Sequence, residues 1–143
     1  MSTLHLRHLE SDQDYAASFE VMRALRPHLT DPQAYAAQVR RQGEQSYRLL
    51  AAWQDDQVVG LAGYRLQENL IYGRFLYLDD LVTADHVRSQ GVGAQLIAAV
   101  REAARQHGCA KFILDTGLGN ALAQRFYFRQ GLLSQGMHFA QAL

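Results

Sequence analysis

A short turn containing two glycines stands between a strand pattern and a helix pattern. It reads Arg88-Ser89-Gln90-Gly91-Val92-Gly93, and an apolar stripe at helical spacing follows it. The first N–H groups of a helix have no internal partner, and the helix dipole adds positive potential there. Glycine leaves the approach open, so a phosphate can bind, with Arg88 adding a charge-assisted contact. The alternative is a turn with two convenient glycines.

Two consecutive aspartates interrupt the strand that leads into this turn. The strand reads Phe75-Leu76-Tyr77-Leu78-Asp79-Asp80-Leu81-Val82-Thr83, and its other residues are mostly aromatic or aliphatic. A buried carboxylate without a partner is costly, so two in a row need a reason. Because side chains alternate along a strand, only one aspartate can line a reaction cleft unless the strand carries a bulge. The alternative is that either aspartate bonds Arg74 or another arginine.

A second polar pattern lies on the last predicted helix. Asn120, Ala123 and Tyr127 are spaced i, i+3 and i+7 and therefore share one helix face. Leu122 and Phe126 form an adjacent stripe, for which we predict a core position. The small Ala123 lets a ligand lie close to the helix, between two polar side chains. The alternative for Tyr127 is a tyrosine that anchors its hydroxyl at the edge of the core.

The elements that position these residues follow from periodicity and from capping and turn residues. We predict strands at 3–9, 46–54, 57–67, 75–83, 111–116 and 137–142, and helices at 11–25, 30–41, 94–107 and 120–131. Gly60 and Gly63 predict a bulge or a close backbone approach in the third strand. The order β-α-α-β-β-β-α-β-α-β indicates an α/β fold, a mixed and mostly antiparallel twisted sheet flanked by helices, in a single domain over residues 1–143.

The two motifs together resemble those of the GCN5-related N-acetyltransferase (GNAT) superfamily. R-x-x-G-x-G at 88–93 and N-x-x-A-x-x-F-Y-x-x-x-G at 120–131 occur at the spacing of that family. The likeness is strong over roughly residues 76–132 and extends elsewhere only to the order of elements. Leu78-Asp79-Asp80 is similar to a stretch of the polyamine acetyltransferases, which carry a glutamate at the position of Asp79. Ser89 and Leu132 depart from the family pattern, which commonly has glycine and phenylalanine at these positions.

The resemblance implies an enzyme that moves an acetyl group directly from acetyl-CoA, as cosubstrate, to a primary amine of a small molecule, without a metal. The pyrophosphate is expected on the turn, and the pantetheine arm is expected to pair with the strand backbone as an added strand does. The implied cofactor-binding residues are Leu81, Val82, Thr83, Arg88, Ser89, Gln90, Gly91, Val92, Gly93, Ala94, Asn120 and Ala123.

Three residues are candidates for catalysis of such a transfer. Loss of the acetyl group leaves a CoA thiolate, which a tyrosine such as Tyr127, with an ordinary pKa of ~10, can hydrogen-bond or protonate. An amine with a pKa of ~10.4 must lose a proton before it attacks, and Asp79 or Asp80 can take that proton directly or through a water. By position Asp79 is the better candidate, with Asp80 making a structural contact. Two carboxylates near the centre favour a cationic acceptor such as a polyamine or an aminoglycoside.

Composition narrows the class of protein. The 14 Lys and Arg balance the 14 Asp and Glu, so nothing favours nucleic acid as a partner. No apolar run approaches the ~20 residues of a membrane span, and the first residues do not read as a signal peptide. The lone Cys109 fits a reducing compartment, so we expect a cytoplasmic protein. No His or Cys spacing predicts a metal site, and any assembly is expected to be a homodimer.

The main rival hypothesis is a non-catalytic module with the same fold that binds or senses acyl-CoA. Tyr127 and a strand carboxylate favour the enzyme, because a binding module needs neither. A dinucleotide-binding domain is disfavoured, because the third glycine of its motif and a repeated βαβ pattern are missing. The acceptor is expected to be chosen by loops at 25–30, 67–74 and 132–138.

Overall fold

The computed structural model describes residues 3–143 and confirms the predicted order of elements as far as the last helix. The strands are β1 Leu4–His8, β2 Tyr47–Gln54, β3 Gln57–Asn69, β4 Gly73–Thr83 and β5 Lys111–Leu114. The helices are α1 Asp12–Leu25, α2 Pro32–Gly43, α3 Val92–Gln106 and α4 Ala121–Arg129, and a 3-10 turn spans Asp85–Val87. Among the residues described, no helix has the length and apolar character needed to cross a membrane.

The chain divides into two compact units, one ending at Ile113 and one running from Leu114 to Leu143. The first contains a mixed five-stranded sheet in the order β1-β2-β3-β4-β5, of which β5 extends one residue into the second unit. The pairs β1–β2, β2–β3 and β3–β4 are antiparallel. This arrangement confirms the predicted α/β class.

Helices cover both faces of the sheet within the first unit. Phe19 and Met22 of α1 and Tyr35 of α2 are buried in one core together with alternate residues of β2. On the opposite face α3 buries Leu96 and Val100 completely. The apolar stripes predicted from helical spacing therefore face the sheet, as expected of amphipathic helices.

The ends of α1 and α2 follow the predicted capping signals. The Ser11 side chain accepts a hydrogen bond from the Asp14 N–H at the start of α1. Asp31 caps α2 in the same way, with Pro32 at the first helical position. Arg26 leaves the helical conformation directly before Pro27, which disfavours the α region for the residue that precedes it. These local signals fix where the segment between the two helices begins and ends.

Two glycines of β3 allow close approach on opposite faces of the sheet, as predicted. A Cβ at Gly60 would lie 2.9 Å from Cγ1 of Val92, so glycine lets α3 pack directly on the strand. A Cβ at Gly63 would lie 1.8 Å from the hydroxyl of Tyr47, so glycine makes room for that side chain. Because the two glycines are separated by an odd number of positions, they serve opposite faces.

β4 carries a one-residue bulge at Asp79. Asp80 pairs with Gly63, whereas Leu78 pairs with the next residue of β3, Tyr64, so Asp79 has no partner across the ladder. One extra residue preserves the pairing on either side but changes which residues face each side. The pattern of β4 alone does not predict this bulge.

The end of the chain differs from the prediction. Residues 133–143 form no helix or strand, although the alternation over Met137–Ala142 predicts a closing strand. A strand is stabilised by hydrogen bonds to a neighbouring strand, and this segment pairs with none in the part of the chain described. Leu122, predicted to be core, is 79% exposed, and α4 contains no fully buried residue. The second unit is too small to cover a helix completely.

Candidate active site

A cavity of about 380 Å³ lies in the first unit, between α1, α2 and the sheet face that they cover. Tyr47 of β2 and Tyr77, Asp79 and Asp80 of β4 line it from the sheet, and Arg26 lines it from the end of α1. The volume is within the usual range for small-molecule pockets, and polar groups that converge on a cavity are typical of such sites. We therefore take this cavity as the candidate acceptor site.

Of the three segments that were expected to choose the acceptor, one lines this cavity. Within the segment 25–30, Arg26, His28 and Leu29 line the cavity. Residues 67–74 form the end of β3, the hairpin turn and the start of β4. Residues 132–138 belong to the second unit.

Both aspartates of β4 line the cavity because of the bulge. Tyr77 also lines it, and Val82 packs against the core beneath α1 and α2, so these residues share one face of the strand with Asp79 and Asp80. In a regular strand the two aspartates would point to opposite faces. The expectation that only one can reach a cleft holds for a strand without a bulge and does not hold here.

Both carboxylate oxygens of Asp80 are occupied by fixed donors. Arg26 donates to Oδ1 from Nε at 3.0 Å, and its Nη2 lies 2.9 Å from the same oxygen as an ion pair. The hydroxyl of Tyr47 donates to Oδ2 at 2.7 Å. Asp80 therefore joins α1, β2 and β4, and its arginine partner is Arg26 rather than Arg74.

Asp79 keeps one oxygen without a donor. Arg65 of β3 donates from Nε to Oδ2 at 2.8 Å, and no group within residues 3–143 donates a hydrogen bond to Oδ1. Burial raises the pKa of Asp79, with Asp80 adding to the rise, whereas the hydrogen bond from Arg65 opposes it. A half-buried carboxylate with a free oxygen and a raised pKa can accept a proton from a ligand in the cavity.

Three residues that hold the aspartates in place, Arg26, Tyr47 and Arg65, were not predicted from the sequence. Arg26 also donates from Nη2 to the backbone carbonyl of Asp79 at 2.9 Å, which fixes the bulge. The guanidinium of Arg65 lies 5.4 Å from the ring centre of Tyr47. The residue that bonds Asp79 and a residue that bonds Asp80 are therefore neighbours. Burial and the nearby Asp80 raise the pKa of Tyr47 well above its usual value, so its hydroxyl stays a donor. An arginine inside the apolar strand β3 was the one signal that the sequence offered.

The glycine turn has the geometry expected of an anion site. Gly91 is the N-cap of α3 with φ +79°, a left-handed conformation that favours glycine. The first backbone hydrogen bond of α3 runs from the Gln95 N–H to the Gly91 carbonyl at 3.0 Å. The N–H groups from Val92 to Ala94 precede that bond and have no acceptor within the helix. Ser89 also has a positive φ, +66°, which explains why glycine suits its position.

Arg88 is exposed beside this turn and forms an ion pair with Asp85. Its Nη2 lies 3.0 Å from Oδ1 of Asp85, and both side chains are largely in solvent. Exposed ion pairs of this kind contribute only ~0–1 kcal/mol to stability, so little free energy is lost when the guanidinium leaves Asp85. Arg88 can therefore exchange this partner for an anion bound on the turn.

Within the first unit, the end of β4 has an edge before the turn that no strand covers. Leu81, Val82 and Thr83 pair with β3 on one side. β5 begins beside Arg74, whose carbonyl accepts from the Ala110 N–H at 2.7 Å, and it is 4 residues long, so it ends before Leu81. An extended ligand can therefore pair with this edge, as a peptide does in β-augmentation.

The remaining predicted residues lie in the second unit. Asn120 is the N-cap of α4, and its side chain accepts from the Ala123 N–H at 3.2 Å. Tyr127 is half-buried on the same helix, and burial raises the pKa of its phenol. Its hydroxyl makes no hydrogen bond within residues 114–143. Asn120 thus has a structural task as a cap, while the Tyr127 hydroxyl is uncommitted within its unit.

Other candidate reactive groups have ordinary surroundings. Nδ1 of His138 lies 3.4 Å from Oδ2 of Asp115, and both side chains are exposed. Burial raises the pKa of Cys109, which disfavours the reactive thiolate. In the described part of the chain no three His, Cys, Asp or Glu side chains are grouped as metal ligands.

Two relatives align with most of the chain. An uncharacterised N-acetyltransferase of Bacillus subtilis, YhdJ, is 30% identical over 125 residues, which are 87% of each chain. The aminoalkylphosphonate N-acetyltransferase of Salmonella typhimurium is 34% identical over 98 residues, 68% of this chain and 62% of that one.

The fold is also that of known acetyltransferase structures. The aminoglycoside N-acetyltransferase AAC(6')-Iy, solved with a bisubstrate analogue of CoA, superposes with a TM-score of 0.85 at 19% identity, covering 99% of both chains. The profile of the acetyltransferase (GNAT) family matches residues 7–132. The match spans most of the sequence and includes β4, the glycine turn and α4, so the chain belongs to the acetyltransferase (GNAT) family.

Proposed function

We propose that this protein is an acetyl-CoA-dependent N-acetyltransferase that acetylates the primary amine of a small molecule bound in the cavity of the first unit. The observation that carries the proposal is the bulge of β4, which directs a carboxylate with a free oxygen into that cavity. The same strand continues through Leu81–Thr83 into the anion-binding turn at the start of α3. A transferase needs an acceptor site and a cosubstrate site that adjoin, and β4 connects the cavity with the turn, which supports this assignment.

The cosubstrate is assigned to the turn and the strand that precedes it. The pyrophosphate would accept hydrogen bonds from the backbone N–H groups of Val92 to Ala94, at the end of the turn 89–94, with Arg88 as a charged partner. The pantetheine arm would pair with the free edge of Leu81–Thr83. Asn120 and Ala123 of α4 are assigned to the same ligand through the family resemblance.

Two side chains are assigned to proton transfer. Bound acetyl-CoA supplies the activated acetyl group. Asp79 takes a proton from the acceptor ammonium through its free Oδ1, directly or through a water, and so makes the nitrogen nucleophilic. Tyr127 donates a proton or a hydrogen bond to the sulfur that leaves, for which its half-buried, neutral phenol is suited. Arg65 holds Asp79 in position.

A thiol-release assay tests the proposal. The native protein is incubated with acetyl-CoA and a panel of small amines, and the freed CoA thiol is detected colorimetrically while mass spectrometry follows the acetylated amine. We expect thiol release that depends on the amine and a matching gain of one acetyl group. If CoA binds but no amine is acetylated, the protein is an acyl-CoA binding module and the enzymatic proposal is wrong.

Binding of the cosubstrate to the turn is tested separately by thermal stability. CoA at ~100 times its Kd is expected to add ~2.7 kcal/mol of apparent stability and raise the Tm. Gly93→Val places a branched side chain in the first turn of α3 and is expected to abolish the shift. Gly43→Val is the matched control, because a Cβ at Gly43 meets nothing within 4 Å. An equal shift in the Gly93 variant would remove the pyrophosphate from this turn.

A further inference from the structure

We infer that the acceptor carries an oxyanion a short distance from its amine, and that the guanidinium of Arg26 binds this oxyanion while Asp79 binds the amine. The inference rests on the proposed function and names the class of acceptor. It differs from the expectation of a cationic acceptor such as a polyamine or an aminoglycoside, which rested on two carboxylates near the centre of the site.

Each carboxylate that lines the cavity is already paired with an arginine. Asp80 is paired with Arg26, and Asp79 is paired with Arg65. Burial raises the pKa of the lining residue Tyr35 to about 12, so it adds no negative charge near neutral pH. Two arginines thus match two carboxylates, and a polyamine would find no excess of negative charge. A second ammonium needs a second carboxylate with a free oxygen, and both oxygens of Asp80 are occupied.

Arg26 is the most exposed charged group of the two ion pairs. Its side chain is 43% exposed, against 14% for Asp80, 19% for Arg65 and 22% for Asp79. Nε and Nη2 make its hydrogen bonds, and Nη1 bonds no group among residues 3–143. A ligand in the cavity therefore meets a guanidinium that is fixed on one edge and has free donors on another. The N–H groups of Nη1 can donate charge-assisted hydrogen bonds to an oxygen of a carboxylate or a phosphonate.

The backbone holds Arg26 in this orientation. The residue is the C-cap of α1, where the helix dipole favours a cation, and Pro27 turns it out of the helical conformation. Its Nη2 bonds the backbone carbonyl of Asp79 at 2.9 Å, and its charge opposes the rise in the pKa of the Asp79 carboxyl, so the two charged groups are close. One cationic and one anionic group side by side complement an amine and an oxyanion joined by a short linker.

A matched set of acceptors tests the inference with the native enzyme. 3-Aminopropylphosphonate and 4-aminobutyrate carry an oxyanion, 3-amino-1-propanol carries a neutral hydroxyl, and 1,3-diaminopropane carries a second ammonium. We expect kcat/KM for the better oxyanion compound to exceed that for the aminoalcohol by about 10–100-fold, the range of a hydrogen bond to a charged group, mainly through KM. The diamine should be the poorest acceptor. The two oxyanion arms separate a phosphonate site from a carboxylate site.

Variants assign the preference to Arg26. Arg26→Gln is expected to reduce the ratio of kcat/KM between the oxyanion compound and the aminoalcohol to about one, and Arg26→Lys to retain part of it. Arg23→Gln is the control, because Arg23 lies in the last turn of the same helix and pairs with the exposed Glu20. This control should keep the native ratio.

The outcomes are distinguishable even if Arg26→Gln fails to fold, because the native ratio is itself a test. A native enzyme that prefers the diamine or the aminoalcohol overturns the inference and leaves the proposed function intact. An oxyanion preference that survives in Arg26→Gln also overturns it, because another residue must then bind the anion. Absence of acetylation with every amine, in this set and in a wider panel, contradicts the proposed function instead.

Discussion

Replacing Asp79 with Asn is expected to lower kcat/KM by about 10²–10⁴-fold, the usual contribution of a general base. Asn has nearly the same shape but cannot take a proton from the acceptor ammonium. Asp79 is the suited base because its Oδ1 is free, whereas both oxygens of Asp80 are held by Arg26 and Tyr47. Activity in the variant should recover partly at high pH, where more of the amine is already neutral.

The raised pKa of Asp79 determines how rate and stability should change with pH. Burial raises the pKa of Asp79, so the basic form is lost on acidification at a higher pH than for an ordinary aspartate. The rate of the native enzyme should therefore fall on the acidic side as the pH drops through the raised pKa of Asp79. The Asn variant should not show this fall. A folded-state pKa above the unfolded value also means that stability from Asp79 is present at low pH and is lost as pH rises through the folded pKa. Asp79→Asn should therefore cost little stability at neutral pH.

Asp80→Asn is the matched control for this experiment. It weakens contacts to Arg26 and Tyr47, so we expect a loss of about 1–3 kcal/mol in the free energy of unfolding, measured by urea titration. The acidic limb of the rate profile should remain. If Asp80→Asn removes that limb and Asp79→Asn does not, Asp80 is the base. If neither changes the profile, neither carboxylate takes the proton.

Tyr127→Phe is expected to lower kcat by about 10²–10⁴-fold with little change in the Kd of CoA. The variant keeps the aromatic ring of α4 and loses only the hydroxyl that would donate to the leaving sulfur. Burial raises the pKa of Tyr127, so the donor form persists above its ordinary range and is lost only at strongly basic pH. The fall in native kcat at that pH should be absent from the variant.

A second tyrosine provides the control for this substitution. Tyr15 of α1 packs at the margin of the core, and burial raises its pKa as well. Tyr15→Phe should keep native kcat, because its hydroxyl has no assigned part in the transfer. A Tyr127→Phe enzyme with native kcat across the pH range would leave Tyr127 a packing role only.

Local signals in the sequence were sufficient for most of the fold. Ser11 and Asp31 mark helix starts because their side chains bond the first free N–H groups, which requires only neighbours in sequence. The turn at Gly91 was equally local, because its left-handed φ and the helix that follows are set within a few residues.

The parts that were missed depend on contacts between distant residues. The bulge at Asp79 exists through pairing with β3 and through Arg26, which is far away in sequence. Which arginine pairs with which aspartate likewise depends on the packing of α1 and β3 against β4. The closing strand at 137–142 was predicted from alternation alone, and alternation does not supply the neighbouring strand that pairing requires.

The bulge makes the length of β4 informative about the chemistry of the cavity. Tyr77 and Val82 are separated by an odd number of positions and still face the same side, which an uninterrupted strand does not permit. Deleting one residue between them would restore regular alternation and leave a single carboxylate on that side. Counting the residues of this strand in related sequences therefore separates proteins with a two-carboxylate cavity from those with a single carboxylate.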